Sequence, residues 1–314
     1  MPTLADGWST IADGLHIHRW FLHVEPYRRE RVSALRENHA RRHGPRLSLT
    51  PTEAESVADT YGAGVAEHLF RQELTPDALV ALRSSSPLPA VVRLAGRRVV
   101  SVRGEDLTGH SPAVLPAEVL RTRGPALAPE FAAEVTALLD HTQVAFVPQL
   151  VADVVVHGDV TEVPAGTVVL QPPATPDRYA EKLLVSAARQ FATLFVVTRG
   201  MYLGGRTTPA PAPGGTWKSV EDGSEVGTTE MFAEIIAASM RFRFWERLAG
   251  AGHSAATTIL PDQRERVSSY LPVVYDVAHA ADDLNCYDLI TTLCPGPRQF
   301  AKYRTGTGAG QGAD

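Results

Sequence analysis

Cysteine is nearly absent from this chain: two of its 314 residues, Cys286 and Cys294, lie eight positions apart near the C-terminus. A secreted disulfide scaffold needs more of them and a zinc knuckle needs closer spacing, so neither is expected. No basic-then-apolar leader opens the chain, and a reducing cytoplasm is the expected setting. Long uncharged apolar runs are also missing. The most apolar stretch, 183–203, carries Arg189, Gln190 and Arg199, and charges at mid-bilayer are costly. It reads as a buried helix, with no membrane partner. Positive charge is not in excess: 30 Lys and Arg against 35 Asp and Glu leave a formal charge of −5, which argues against a general nucleic-acid binder. The strings that announce common chemistries are lacking too. There is no Gly-x-Gly-x-x-Gly, no Walker-type Gly-Lys-Ser/Thr, no Gly-x-Ser-x-Gly and no His-Glu-x-x-His.

What is present is an ordinary globular balance, 44% hydrophobic and 21% charged, enough for a self-sufficient core. At about 150 residues per domain the length suits one large domain or two small ones, and a single domain over 1–314 is expected. Its ends, 1–12 and 295–314, are expected to be flexible. From Leu15 to Arg42 apolar and charged residues mix as in a helix, expected to break near Pro26 and to end at Gly44-Pro45. The basic run from Arg28 to Arg42 within it reads as a solvated helix face. Thr50-Pro51-Thr52-Glu53 has the spacing of a capping box with proline at the first helical position, and Thr75-Pro76-Asp77 repeats the start signal.

The period then changes. Residues 90–94 and 98–103 are β-rich runs joined through Gly96, a hairpin signal. Residues 129–141 are helical by pattern, and 144–170, rich in Val and Thr, predict short strands. Thr175-Pro176-Asp177 opens a long helix to about Tyr202. The segment 204–227 is dense in Gly, Pro, Thr and Ser and reads as one long loop, the kind that closes over a site as a lid. Thr228-Thr229-Glu230 caps a helix to about Leu248, and Pro261 is expected to open another running to about Leu293. The whole is mainly α: a helical bundle-like domain with a small hairpin and short-strand insertion.

Histidine, with eleven residues, is the enriched functional type. Asp276, His279 and Asp283 are spaced i, i+3, i+7 and share a helix face. A histidine that binds a metal needs its second ring nitrogen held by an acceptor, and a carboxylate one turn away supplies it. The small neighbours Ala278, Ala280 and Ala281 would let a flat cofactor approach. On a helix face the same spacing also describes an ordinary salt-bridged histidine. A di-iron carboxylate centre needs Glu and Glu-x-x-His sets from four helices, and only one Asp-x-x-His occurs. His157-Gly158-Asp159 has the His-x-Asp spacing of a non-haem iron triad. His110, in a loop between Gly109 and Pro112, is a candidate acid/base. Arg199, at the end of the apolar helix, and Arg206, at the start of the Gly/Pro-rich segment, are placed where a guanidinium can fork onto a substrate carboxylate.

Two strings resemble the histidine-ligated haem oxygenases related to tryptophan 2,3-dioxygenase, a group that includes haem-dependent tyrosine hydroxylases of natural-product pathways. SMRFRFWERL at 239–248 looks like the helix that carries the proximal ligand there, and RTGTGAG at 304–310 looks like the glycine-rich loop that closes over the amino acid. Together they cover under a tenth of the chain. Phe244 stands where that helix presents its histidine, and the glycine loop follows some sixty residues later than in the family, so neither string transfers a ligand. The resemblance implies a haem monooxygenase that hydroxylates an aromatic amino acid such as tyrosine. In that reading His279 binds iron, Asp276 and Asp283 tune it, His110 moves protons, and Arg199 or Arg206 holds the substrate. A homodimer is compatible with it. The alternatives are a non-haem iron oxygenase and a non-catalytic helical binding or assembly protein.

Overall fold

The computed structural model describes residues 17–61, 66–67, 70, 76, 79, 92–94, 97–103, 128–142, 154–157, 167–170, 175–204 and 214–280. The ends expected to be flexible, 1–12 and 295–314, lie outside the described residues. The elements, in chain order, are α1 (Ile17–His43), a 3-10 turn (Pro45–Leu47), α2 (Pro51–Tyr61), β1 (Val92–Leu94), β2 (Arg97–Arg103), α3 (Pro129–His141), β3 (Val154–His157), β4 (Thr167–Leu170), α4 (Pro176–Gly204), β5 (Thr216–Lys218), β6 (Glu225–Gly227), α5 (Thr228–Gly250), α6 (Ser254–Tyr270) and α7 (Val274–Ala280). The chain is mainly α, as its periodicities imply. Contacts group it into two compact units, 21–190 and 191–314 together with 1–20.

In the unit 21–190, α1 runs unbroken through Pro26, where a break was expected. A proline inside a helix forfeits one hydrogen bond and crowds the preceding turn. Burial of the turns that follow holds this helix together. Arg28, Val32 and His39 fall on one face and are buried, so the basic run is not solvated all round, although Arg41 and Arg42 are. Arg31 pairs with Glu67 at 2.9 Å. The capping box at α2 forms in both directions: the Glu53 N–H donates to Thr50 Oγ1 at 3.2 Å, and the Thr50 N–H donates to Glu53 Oε2 at 2.7 Å.

β1 and β2 pair antiparallel, the expected hairpin. β3 and β4 then extend it in parallel, Val100 opposite Val154 and Val154 opposite Thr167, making a mixed four-stranded sheet in the order β1-β2-β3-β4. The β content is a small inserted sheet in a mainly α chain. α3 lies between β2 and β3 in the chain and packs on β1. Its buried Ala132, Val135 and Leu139 recur at i, i+3, i+7, and Phe131 meets Tyr179 edge-on at 5.5 Å.

In the unit 191–314, α5 is the centre. All ten residues from Met231 to Met240 are buried, as in a helix that is apolar all round. The β5–β6 hairpin, α6 and α7 pack around it, and Phe232 stacks on Phe195 of α4. α5 ends in a Schellman motif. The His253 N–H donates to Leu248 O and the Gly252 N–H to Ala249 O, with Gly252 at φ +80°, where a side chain would be strained. That turn is the true start signal for α6, which begins at Ser254 and carries Pro261 in its interior. The helix expected from Pro261 to Leu293 is interrupted at 271–273, and residues 281–293 lie outside the described residues.

The segment 204–227, expected as one loop, ends in the β5–β6 hairpin, with Trp217 opposite Val226. Residues 205–213 lie outside the described residues. Thr228 does not cap α5 with its side chain. Its Oγ1 accepts the Trp217 indole N–H at 3.0 Å and donates to Gly214 O at 2.6 Å, tying the hairpin down. Gly215, at φ +113°, leaves no room: a Cβ there would sit 2.8 Å from the Thr228 hydroxyl.

The capping box should be measurable. Thr50→Ala is expected to lower the stability of the unit 21–190 by about 1 kcal/mol in denaturant unfolding. Adding Glu53→Ala should cost less than a second full increment, because the two groups act reciprocally.

Candidate functional site

Of the residues singled out by sequence, α7 carries two. Asp276 and His279 stand three residues apart, one turn of helix, and Asp276 is exposed. α7 is seated on α5, and its Val274 and Val277 are buried. Arg199 falls in the last turns of α4. His110, Arg206, Asp283 and the glycine loop 304–310 lie outside the described residues. His157 is the last residue of β3, opposite Arg103 of β2 and Leu170 of β4, so the His-x-Asp string starts at a strand end, though Asp159 is outside the described residues. Among the described residues no group of three or more His, Cys, Asp and Glu is placed to hold a metal ion, and no helix is long and apolar enough to cross a membrane.

The string at 239–248 is core. Phe242, Phe244, Trp245 and Leu248 are all buried, and Phe244 meets Trp245 edge-on at 5.2 Å. These aromatics fall on the buried side of the helix, while Glu246 is exposed, a placement that packing alone requires.

A polar cluster in the same unit went unread in the sequence. Glu234, on the wholly buried stretch of α5, is only 4% exposed. Its Oε1 accepts from the Ser219 hydroxyl at 2.8 Å, and its Oε2 accepts from the Tyr270 hydroxyl of α6 at 3.1 Å. Ser219 Oγ in turn accepts the Glu221 N–H at 3.0 Å. Arg266, one turn before Tyr270, pairs with Glu221 at 3.5 Å. Both oxygens of the carboxyl are therefore filled by groups from two other elements. It is a staple that joins hairpin, α5 and α6. The one signal in the sequence is a lone acid inside the run Met231–Met240. Burial, then the charges of Glu234 and Glu221, push the Tyr270 hydroxyl well above its ordinary value, with Arg266 pulling the other way. In the other unit, burial alone does the same to Tyr179.

Two outcomes follow from the staple. Tyr270→Phe leaves Glu234 Oε2 without its donor and should cost about 1–3 kcal/mol in urea unfolding, where an equivalent change at an exposed tyrosine costs little. The pH dependence has a definite sign. A tyrosine whose value is raised in the folded chain confers stability that is fully present below its ordinary value of 10.0 and is lost as pH climbs towards the folded value. Alkaline unfolding curves should therefore fall above about pH 10, and Tyr270→Phe should make that limb shallower.

Neither the models of known protein families nor the curated proteins match this chain, so its function has to be argued from its own residues.

Proposed function

We propose that the chain is a haem-dependent monooxygenase that hydroxylates an aromatic amino acid, with His279 as the protein ligand to iron. The observation that carries this reading is that Asp276 and His279 stand one turn apart on a helix seated against α5. A haem iron takes four ligands from its macrocycle and needs one imidazole from the protein, which His279 would supply.

Bound haem would supply an iron centre at which oxygen or peroxide is activated. The residues of the chain do the rest. Asp276 or Asp283 would accept a hydrogen bond from the ring N–H of His279 and make the imidazole a stronger donor. His110 gives and takes the proton that oxygen activation requires. Arg199 or Arg206 forks onto the substrate carboxylate and orients the ring. A second reading, a non-catalytic helical binding or assembly protein, is favoured by the buried state of Phe242, Phe244 and Trp245, because packing accounts for the string that resembles the haem oxygenases.

Absorption separates the two. Protein expressed with a haem precursor is expected to show a Soret band that His279→Ala abolishes. Asp276→Asn and Asp283→Asn should retain the band and raise the iron reduction potential. A chain with no Soret band, or a His279→Ala variant with an unchanged one, would sink the haem reading.

A further inference from the structure

The β5–β6 hairpin turns over residues 219–224, and its tip is the pair Asp222-Gly223. Asp222, Gly223 and Ser224 are exposed, while Ser219 is buried. The Ser219 N–H donates to Ser224 O at 2.8 Å and closes the turn. Within it, the Ser224 N–H at 2.9 Å and the Ser224 hydroxyl at 2.6 Å both donate to Asp222 Oδ1, the local bonding that suits aspartate to a turn. The Gly223 N–H donates back to Ser219 O at 3.0 Å.

Aspartate followed by glycine is a reactive pair, because no side chain shields the glycine nitrogen from the aspartyl carboxyl. That nitrogen attacks Cγ of the protonated acid and a C–N bond forms. The C–OH bond breaks, and the hydroxyl leaves as water with the amide hydrogen. Water then reopens the five-membered imide at either carbonyl. The product is aspartate again, or an isoaspartate whose backbone runs through the former side chain. No reactant besides water is needed.

The folded hairpin opposes both halves of the closure. The imide nitrogen carries no hydrogen, so closure forfeits the Gly223 bond to Ser219 O. Loss of the hydroxyl needs the protonated acid, and the Ser224 hydroxyl, then the Ser224 N–H, hold the Asp222 carboxyl below its ordinary value. Packing adds little. Among the described residues, none beyond its chain neighbours comes within 4 Å of the place a Cβ on Gly223 would take.

We propose that Asp222-Gly223 is a latent isoaspartate site, shut by these hydrogen bonds in the folded hairpin and released to imide closure when the hairpin opens. Its product would reach the core, because isoaspartate lengthens the backbone three residues from Ser219, the donor to Glu234. The site shares no residue with the haem reading and stands independently of it.

Ageing the full chain at mildly acidic pH tests this, once in buffer and once in urea above the unfolding transition. Isoaspartate at 222 is followed by peptide mapping. Conversion is expected to be at least about tenfold slower in buffer than in urea, since hydrogen bonds to a charged group must be given up. Ser224→Ala removes one donor from an exposed position. It should speed conversion in buffer about tenfold and leave the rate in urea unchanged. Equal rates in buffer and urea would overturn the proposal, and so would a Ser224→Ala chain that converts in buffer no faster than its parent.

Discussion

A carboxyl group inside a helix that is buried on every side is the constraint on which the unit 191–314 depends. Glu234 cannot be reached by bulk water, so its two oxygens must be satisfied from within. Ser219 and Tyr270 supply the donors, one from the hairpin and one from α6. A carboxyl of this kind does little for net stability compared with an apolar residue of the same shape. What it imposes is geometry. The hairpin must dock where Ser219 reaches Oε1, and α6 must lie where Tyr270 reaches Oε2. Apolar packing by Phe232, Ile235 and Ile236 would tolerate several positions of those elements, and the hydrogen bonds select one.

The parts of the fold that were legible in sequence are those decided locally. The reciprocal bonds of Thr50 and Glu53 span three residues, and the start of α4 at Thr175-Pro176-Asp177 is likewise settled within one turn: the Asp177 carboxyl meets the Thr175 hydroxyl and accepts the Arg178 N–H. The double ridge of α4, buried at 179, 183, 187, 191 and 195 and again at 180, 184, 188, 192 and 196, is a plain helical period. What misled was punctuation by proline. Pro26 and Pro261 each cost a hydrogen bond, but burial of neighbouring turns outweighs that cost, and only the tertiary structure reveals it. The β5–β6 hairpin was illegible for the opposite reason. Its strands are three residues long and carry little period of their own, and they are held by Thr228 and Glu234 of the following helix.

The candidate site divides in the same way. The spacing of Asp276 and His279 is a local fact and survives into α7. The Glu234 cluster depends on the hairpin and α6 both reaching α5, which no spacing within α5 announces. Resemblance in short aromatic strings has a further weakness, shown by residues 239–248. A buried helix selects Phe, Trp and Leu at successive inward positions whatever the protein does, so such a string carries less functional information than its composition suggests.

The burial of every residue from Met231 to Met240 also bears on how the chain acquires its structure. A helix with ten consecutive buried residues has no face that water tolerates, so it gains little until its covers arrive. Those covers, the hairpin at 216–227, α6 and α7, are its immediate neighbours in sequence, and contacts of short loop length form early. The sheet of the other unit must instead bring Val100 to Val154, 54 positions along the chain, and must close that loop before any parallel pairing is rewarded. Short sequence separation favours assembly of the region around α5 ahead of the sheet, which would shorten the time its apolar run spends exposed to other chains.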